Sequence, residues 1–416
     1  MRPQWSQYKK GGVPMNKRLF RRAFAALTFF ILHSSFFISC SPEPPLYLYD
    51  AQEIEMEMPV IDLNLDVFWD YETDLGIDYN WRAEWYYGWD DTDRELFGEL
   101  GYTMPTVFNL RRYYTASTPY APHTGVIAST VEGNNYTERY NWGYWDILTW
   151  NQISTLDGVQ SLNFDEQTSL DSVFAYTNQT MHVARYNAPR FTHSFYAPEP
   201  LFSAYEQAID VNRNLDGFTF IPERNIWMKE LHMQLCPITY IYLTQVILHH
   251  NNGRITAIDG SASLSGLARS TNLNTGCSGS DAITVHYDTR MKRNIPLVAF
   301  GTRAKDVPAG TEYIDIVGGR LMTFGICNLK ANDVTRADEV KESHHHYMDM
   351  TMQFNNGMDS TFVFDVTRQV RDRFRGGVIT VELDVDTIPI PTRSGGSGFN
   401  AVVQDTEDGG TYEFDM

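Results

Sequence analysis

Four groups of residues in this chain have types and spacings that could do chemistry. The first is a single cysteine, Cys40, closing the stretch Phe37-Ile38-Ser39-Cys40. The basic stretch Met15 to Arg22 and the apolar run Ala23 to Ile38 precede it. That order is the one found in bacterial lipoprotein signals, in which the cysteine thiol is acylated and becomes the first residue of the processed chain. Phe37 stands where leucine is usual. The second group is His344-His345-His346. On a strand, His344 and His346 would share a face about 6.5–7 Å apart and could share a metal ion. No spacing names a third ligand, and a solvated strand edge is the simpler reading. His249-His250 reads the same way. The third group is the carboxylates Asp62, Asp66, Asp384 and Asp386, which could form a glycosidase pair or a calcium site. Among 52 acidic residues such pairings arise by chance, and these read as wet faces of strands.

The fourth group is aromatic. Phe68, Trp69, Tyr71, Tyr79, Trp81, Trp85, Tyr86, Tyr87 and Trp89 fall in one window, with Trp142, Tyr144, Trp145 and Trp150 later. Indole faces stack on sugar rings, so carbohydrate binding is one reading and a protein-contact surface another. Core packing leads, because a tryptophan buries roughly 150–250 Å² while keeping one polar handle. The chain has no His-Glu-x-x-His, no Gly-x-Ser-x-Gly and no phosphate-cradling glycine loop. The expectation is a protein that is not an enzyme, with no catalytic, cofactor or metal residues, and with Cys40 as its one modified position.

The elements that must position these residues begin after a removed signal. The apolar run is short and broken by His33, Ser34 and Ser35, which suits a secretory signal better than a bilayer span. Two or more acyl chains on Cys40 would hold firmly, since each buried methylene contributes roughly 0.8 kcal/mol. Residues 1–14 read as an upstream start ahead of a more natural Met15. Residues 1–39 hold seven of the 33 basic residues and none of the 52 acidic ones, so the formal charge of −19 becomes about −26 beyond them. That sign excludes nucleic acid as a partner class. Cys236, Cys277 and Cys327 are too few and scattered for a disulfide framework; one pair could bridge, or all could be free thiols.

Short alternating runs dominate, and no long amphipathic helix is visible. Ile54, Met56 and Met58 alternate with glutamates; after a phase shift at Pro59-Val60, Ile61, Leu63, Leu65 and Val67 alternate with Asp62, Asn64 and Asp66. Met233 to His250 reads as a long strand-like run interrupted early by Pro237, with Asn251-Asn252-Gly253 as a turn and Arg254 to Asp259 as its hairpin return. Thr361 to Val366 reads as a strand, Thr367 to Phe374 as two helical turns, and Val378 to Ile388 as a strand with Ile379, Val381, Leu383 and Val385 inward. The predicted organisation is a signal at 15–40, a Pro-rich tether at 41–53, one β-sandwich at 54–220, a second at 221–391, and a Gly/Ser-rich acidic tail at 392–416. The tail reads as disordered and as poor strand material.

Five stretches carry a resemblance. They are Val67-Phe-Trp-Asp70, Asp259 to Ala268, Met322 to Cys327, Phe364 to Val370, and Ile388-Pro-Ile-Pro391. In their order and spacing the chain resembles the DUF5119 family of Bacteroidales lipoproteins, related to fimbrillin-like and major and minor fimbrial subunit proteins. The resemblance implies an all-β chain of two tandem transthyretin-like β-sandwich domains on an outer-membrane, surface-facing lipoprotein. It implies other fimbrial subunits or surface proteins as partners, met by β-strand addition. Related subunits lose an N-terminal strand after an arginine, whereas this chain has no arginine between Cys40 and Asn80. That departure suits an anchor, accessory or adhesin component rather than a repeating stalk subunit. A carbohydrate-binding surface lipoprotein is the alternative.

Overall fold

The computed structural model describes residues 58–416 apart from 69–74, 78, 154–159, 167–169, 181–193, 330–343, 393–399, 405–412 and 415–416. Cys40, the tether, and the run Ile54 to Met56 lie outside the described residues, as do Trp69 and Tyr71. In chain order the strands are β1 (Val60–Val67), β2 (Val107–Thr115), β3 (Gly125–Glu132), β4 (Asn135–Arg139), β5 (Gly143–Asn151), β6 (Leu162–Asp165) and β7 (Phe174–Thr177). There follow β8 (Ser194–Tyr196), β9 (Phe202–Val211), β10 (Thr219–Ile221), β11 (Ile226–Pro237), β12 (Tyr240–His249), β13 (Ile255–Ala268) and β14 (Ser270–Asn272). The last are β15 (Ala282–Pro296), β16 (Tyr313–Thr323), β17 (Tyr347–Phe354), β18 (Asp359–Asp365), β19 (Gly377–Asp384), β20 (Asn400–Gln404) and β21 (Glu413–Phe414). Helices are short: α1 is Asp91–Phe97 and α2 is Thr367–Asp372. The protein is all-β.

The first sheet runs β3-β2-β5-β9-β11-β1-β4, with β10 also on β11. Period-two alternation sets the facing of β1, as read from the sequence. Ile61, Leu63 and Leu65 enter a core with Phe108, Trp145 and Leu235, while the Asp62 carboxylate stays outside and accepts from Asn135 Nδ2 at 3.1 Å. The second sheet runs β19-β12-β16-β15-β13-β17-β18-β20-β21, with β8 on β15. Strand β15 explains its curl. Its first half, Ala282–Asp288, pairs with β13, and its second half, Thr289–Pro296, pairs with β16. One strand thus serves both layers of a sandwich, enclosing Tyr242, Leu264, Val285, Val317, Met350, Phe362 and Ile379. A small third sheet runs β14-β7-β6.

Three local expectations are corrected. The interruption read at Pro237 is a full break: β11 ends at Pro237, which has no N–H to carry a ladder further, and after Ile238-Thr239 the chain enters β12 in a different sheet. The turn after His249 forms, but β12 and β13 do not make a hairpin. Strand β12 pairs with β16 and β19, and β13 with β15 and β17, so the turn arches between layers. The tail also contributes strands. Strand β20 pairs in parallel with β18, and β21 adds to β20, because Ala401-Val402-Val403 is a small apolar run inside otherwise poor β composition. Thr361 to Val366 stands as a strand, but the strand read over Val378 to Ile388 ends at Asp384, where Val385–Thr387 forms a 3-10 turn; Ile379, Val381, Leu383 and Val385 face inward as read.

Candidate functional site: an open seam in the first sheet

The histidines do not form a metal site among the described residues. His346 is fully buried; its backbone N–H donates to Thr367 Oγ1 at 2.9 Å, and its Nδ1 lies 3.1 Å from the Ser265 carbonyl. His345 is exposed at the strand start. His249 and His250 pair with separate carboxylates, Glu312 at 2.9 Å and Asp384 at 3.1 Å. A hydrogen bond to Asp384 raises the His250 imidazole above its ordinary value. Asp62 and Asp66 lie on β1 and Asp384 and Asp386 at the end of β19, in different sheets, so the four carboxylates form no common site. Cys236, Cys277 and Cys327 are all free thiols, exposed, half-buried and buried in turn.

The middle of the aromatic belt is core, whereas Phe68 at its start is half exposed. Trp81, Trp85, Tyr87 and Trp89 pack with Leu75 and Ile77 onto Ile241, Leu243, Ile247 and Ile316, on the second sheet's outer face. Strand β12 is therefore covered on both sides, which is why its sequence is nearly continuous apolar residue. Its one amide on that face, Gln245, is fully used. Oε1 accepts from Tyr86 N at 2.9 Å and Tyr87 N at 3.1 Å, and Nε2 donates to Glu84 O at 2.7 Å and Thr380 Oγ1 at 2.9 Å. Beyond it, Asp93 is fully buried and accepts from Tyr87 Oη at 2.8 Å, Arg290 Nη1 at 2.6 Å and Lys292 Nζ at 2.5 Å. Burial and the Asp93 hydrogen bond drive the Tyr87 hydroxyl well above its ordinary value. Burial alone would raise Asp90; hydrogen bonds from Arg290, the Asp93 backbone and Lys292 instead hold its carboxyl far below the usual range. Later in the chain Trp145 and Trp150 are buried too. These indoles are unavailable to a sugar ring.

The open feature of the structure is a seam between β9 and β11. These antiparallel neighbours pair at only two positions, Cys236 with Ser203 and Pro237 with Phe202. Beyond them β9 continues along β5 to Val211, and β11 continues along β1 from Leu235 down to Met228. Strand β10 takes Ile226 to Met228 at the lower end. The facing edges, Ala204 to Val211 and Lys229 to Leu235, have no strand between them among the described residues.

Local sequence accounts for the divergence. The β5–β9 register slips between Trp145 and Ile147, so Asp146 faces both Gln207 and Ala208. Such a bulge bends its strand and increases the local twist. Ala208 has φ of 58°, a left-handed conformation costly for a residue with a Cβ. Asp146 offsets that cost: Oδ1 accepts from Ala208 N at 2.7 Å, and Oδ2 lies 2.7 Å from His123 Nε2. Below the seam, Ala204, Ile209, Met233 and Leu235 belong to the first sheet's core, and Phe218 closes the lower end. At the upper end a cleft of about 430 Å³ is lined by Tyr102, Tyr205, Glu206, His232, Gln234 and Cys236, among others. Burial raises the Cys236 thiol above its ordinary value, so it is held as the neutral thiol. The alternation read from the sequence gave no sign of this seam, because it arises from a slip in pairing with a distant strand.

The described residues form an all-β protein with two large curled sheets and an open seam. No protein-family model matches the chain, and no curated protein matches it. Solved structures do. A candidate adhesin from Bacteroides ovatus is 10% identical with a TM-score of 0.46, the match covering 83% of this chain and 99% of that one. A candidate adhesin from Bacteroides thetaiotaomicron is 10% identical with a TM-score of 0.41, over 79% and 93% of the two chains. The fimbrial anchor protein Mfa2 from Porphyromonas gingivalis is 11% identical with a TM-score of 0.36, over 85% and 95%. These are distant likenesses.

Proposed function

We propose that this chain is a surface lipoprotein, acylated at Cys40 and held in the outer membrane, that serves as a fimbrial anchor, accessory or adhesin component through protein–protein contacts. It is the role that the sequence resemblance to the DUF5119 and fimbrillin-like proteins implies. In this reading residues 15–40 are the signal, 41–53 the tether, and two β-sandwich domains follow. The observation that carries the contact role is the seam. Two strand edges, Ala204 to Val211 and Lys229 to Leu235, flank an apolar floor that an extended segment of a partner can cover. Main-chain hydrogen bonds to both edges supply affinity. Alternate side chains of the guest meet Ile209 and Met233 inward and Asp210, Glu230 and His232 outward, which favours a guest with basic residues on its outer face.

The test is a pull-down from native outer membranes with the non-lipidated Cys40→Ala protein as bait, followed by hydrogen exchange of the bait alone and with the recovered partner. The expected result is recovery of a fimbrial or surface subunit that slows exchange across both seam edges. Failure to recover any such subunit while fimbriae stay intact would refute the role. Recovery with unchanged seam exchange would move the contact elsewhere.

A further inference from the structure

The strands of the first sheet run between two ends. At one end β11 finishes at Pro237 and the chain passes into β12 of the second sheet. At the other, the registers set Val60 of β1 beside Met228 of β11 and Arg139 of β4. Val211 of β9, Gly143 of β5, Thr115 of β2 and Gly125 of β3 lie at that same end, since β9 runs antiparallel to β11 and the others pair in turn. The chain coming from Cys40 enters the sheet there. Met58 O accepts from Arg139 Nη1 at 3.2 Å, and Pro59 O accepts from Tyr140 N at 3.0 Å, so the entry point is fixed.

This entry end carries exposed rings. Phe220 of β10 and Trp227 of β11 face each other across their ladder with ring centroids 5.3 Å apart, and are 42% and 40% exposed. Tyr120, in the loop between β2 and β3, is 91% exposed. Trp227 is the one exposed indole among the described residues. Charge at this end is balanced. Residues 116–124 contain no Asp, Glu, Lys or Arg, and over residues 212–228 Arg213 and Arg224 match Asp216 and Glu223, in a chain whose formal charge is −19.

We infer that the entry end is a lipid-facing surface, with Tyr120, Phe220 and Trp227 set into the headgroup boundary of the bilayer that holds the acyl chains. The inference rests on acylation of Cys40 as proposed above. Chain length selects the occupant. Eighteen residue steps separate Cys40 from Met58 and span at most about 65 Å, so the entry end is the part of the sheet that the anchor keeps nearest to lipid. A tether of that length gives a high effective concentration, and a weak contact then suffices. Tyr and Trp suit the boundary because each has an apolar body and a polar tip. The balanced charge spares this end the repulsion that an acidic surface meets at anionic headgroups. Cys236, eight residues further along β11 than Met228, stands up to about 26 Å farther from lipid, which leaves the seam open to a partner.

The experiment uses the full chain purified from membranes and reconstituted into phosphatidylcholine vesicles, with or without bromine on the lipid acyl chains. Intact mass reports acylation at Cys40. The emission of Trp227 is the difference between wild type and Trp227→Phe, and bromine quenches it only if the ring reaches the lipid. Brominated lipid is expected to lower that difference roughly twofold, as for rings set about 5–10 Å into the boundary. Phe220→Glu and Tyr120→Glu are each expected to abolish the quenching. Met104→Glu, exposed just before β2 at the opposite end of the sheet, is expected to leave it unchanged. Thermal melts that match wild type identify variants with intact folds, and two entry-end variants keep the test alive if one fails to fold. An acylated protein whose Trp227 is not quenched overturns the inference while the anchoring reading stands, and leaves this end to a protein or glycan. Quenching that both glutamate variants retain also overturns it. A mass without acyl chains overturns the anchoring reading and this inference with it.

Discussion

Replacing Asp349 by asparagine should stabilise this protein at neutral pH. Asp349 sits on β17 opposite Ser263 of β13, whose hydroxyl donates to it. Burial raises its carboxyl from 3.8 to about 6, and the Ser263 hydrogen bond only partly opposes that. A folded-state value above the unfolded one means that the fold favours the protonated acid. The ionised form is therefore a penalty that is fully present above about pH 6. It is relieved as pH falls through 6 towards 4, and constant below the unfolded value. A difference of about two pH units at roughly 1.36 kcal/mol each gives a penalty of about 3 kcal/mol at pH 8. Asparagine keeps an oxygen for Ser263 and has no charge to bury. Allowing about 1 kcal/mol for the weaker hydrogen bond, the variant should gain about 2 kcal/mol at pH 8. Urea unfolding of both proteins at pH 8 and pH 5 is the assay, read as midpoints at constant slope. The gain should shrink or reverse at pH 5. An asparagine variant less stable than wild type at pH 8, or a difference that does not change with pH, would refute the reasoning.

Other perturbations address the belt and the thiols. Asp93→Ala leaves Arg290 and Lys292 with Asp90 alone and should cost about 3–5 kcal/mol in urea unfolding, whereas exposed Asp91→Ala should cost under about 0.5 kcal/mol. Gly318→Ala places a Cβ 2.4 Å from the Tyr87 ring and should destabilise by about 1–3 kcal/mol, with a shifted tryptophan emission maximum reporting belt displacement. In thiol titration of the folded Cys40→Ala protein at pH 8, the accessible Cys236 should react more slowly than a free thiol, because its raised value keeps it protonated, and Cys327 should react only after denaturation.

Much of the scaffold was legible in the sequence because local pattern and burial agree. Ile61, Leu63 and Leu65 alternate and face one core, and Ile379, Val381 and Leu383 do the same in the second sheet. The belt read as packing because so many indoles cannot all be solvated, although its placement on the second sheet was not visible. Reading failed where partners are remote. Nothing near Asn251 tells a hairpin from an arch, since the choice depends on what β16 and β17 pair with. The seam was equally hidden. It depends on a one-residue slip between β5 and β9, and the only local sign, Ala208 at positive φ, carries no compositional mark. The tail misled because its average composition concealed Ala401-Val402-Val403.

The position of β1 decides how this fold would bear a pull from its N-terminal side. Strand β1 lies between β11 and β4, joined to β11 over eight residues and to β4 over five. Tension along its axis loads those hydrogen bonds in shear, all together, instead of opening them singly like a zip. Directly after β1 the chain runs into the belt, whose Trp81, Trp85 and Tyr87 are packed on the second sheet and latched by Gln245. A force that began to slide β1 would meet the second sheet's grip before the first sheet could unravel. Rupture is therefore set by the belt and β1 acting in series, and Gln245→Ala should lower the unfolding force even though it lies in the other sheet.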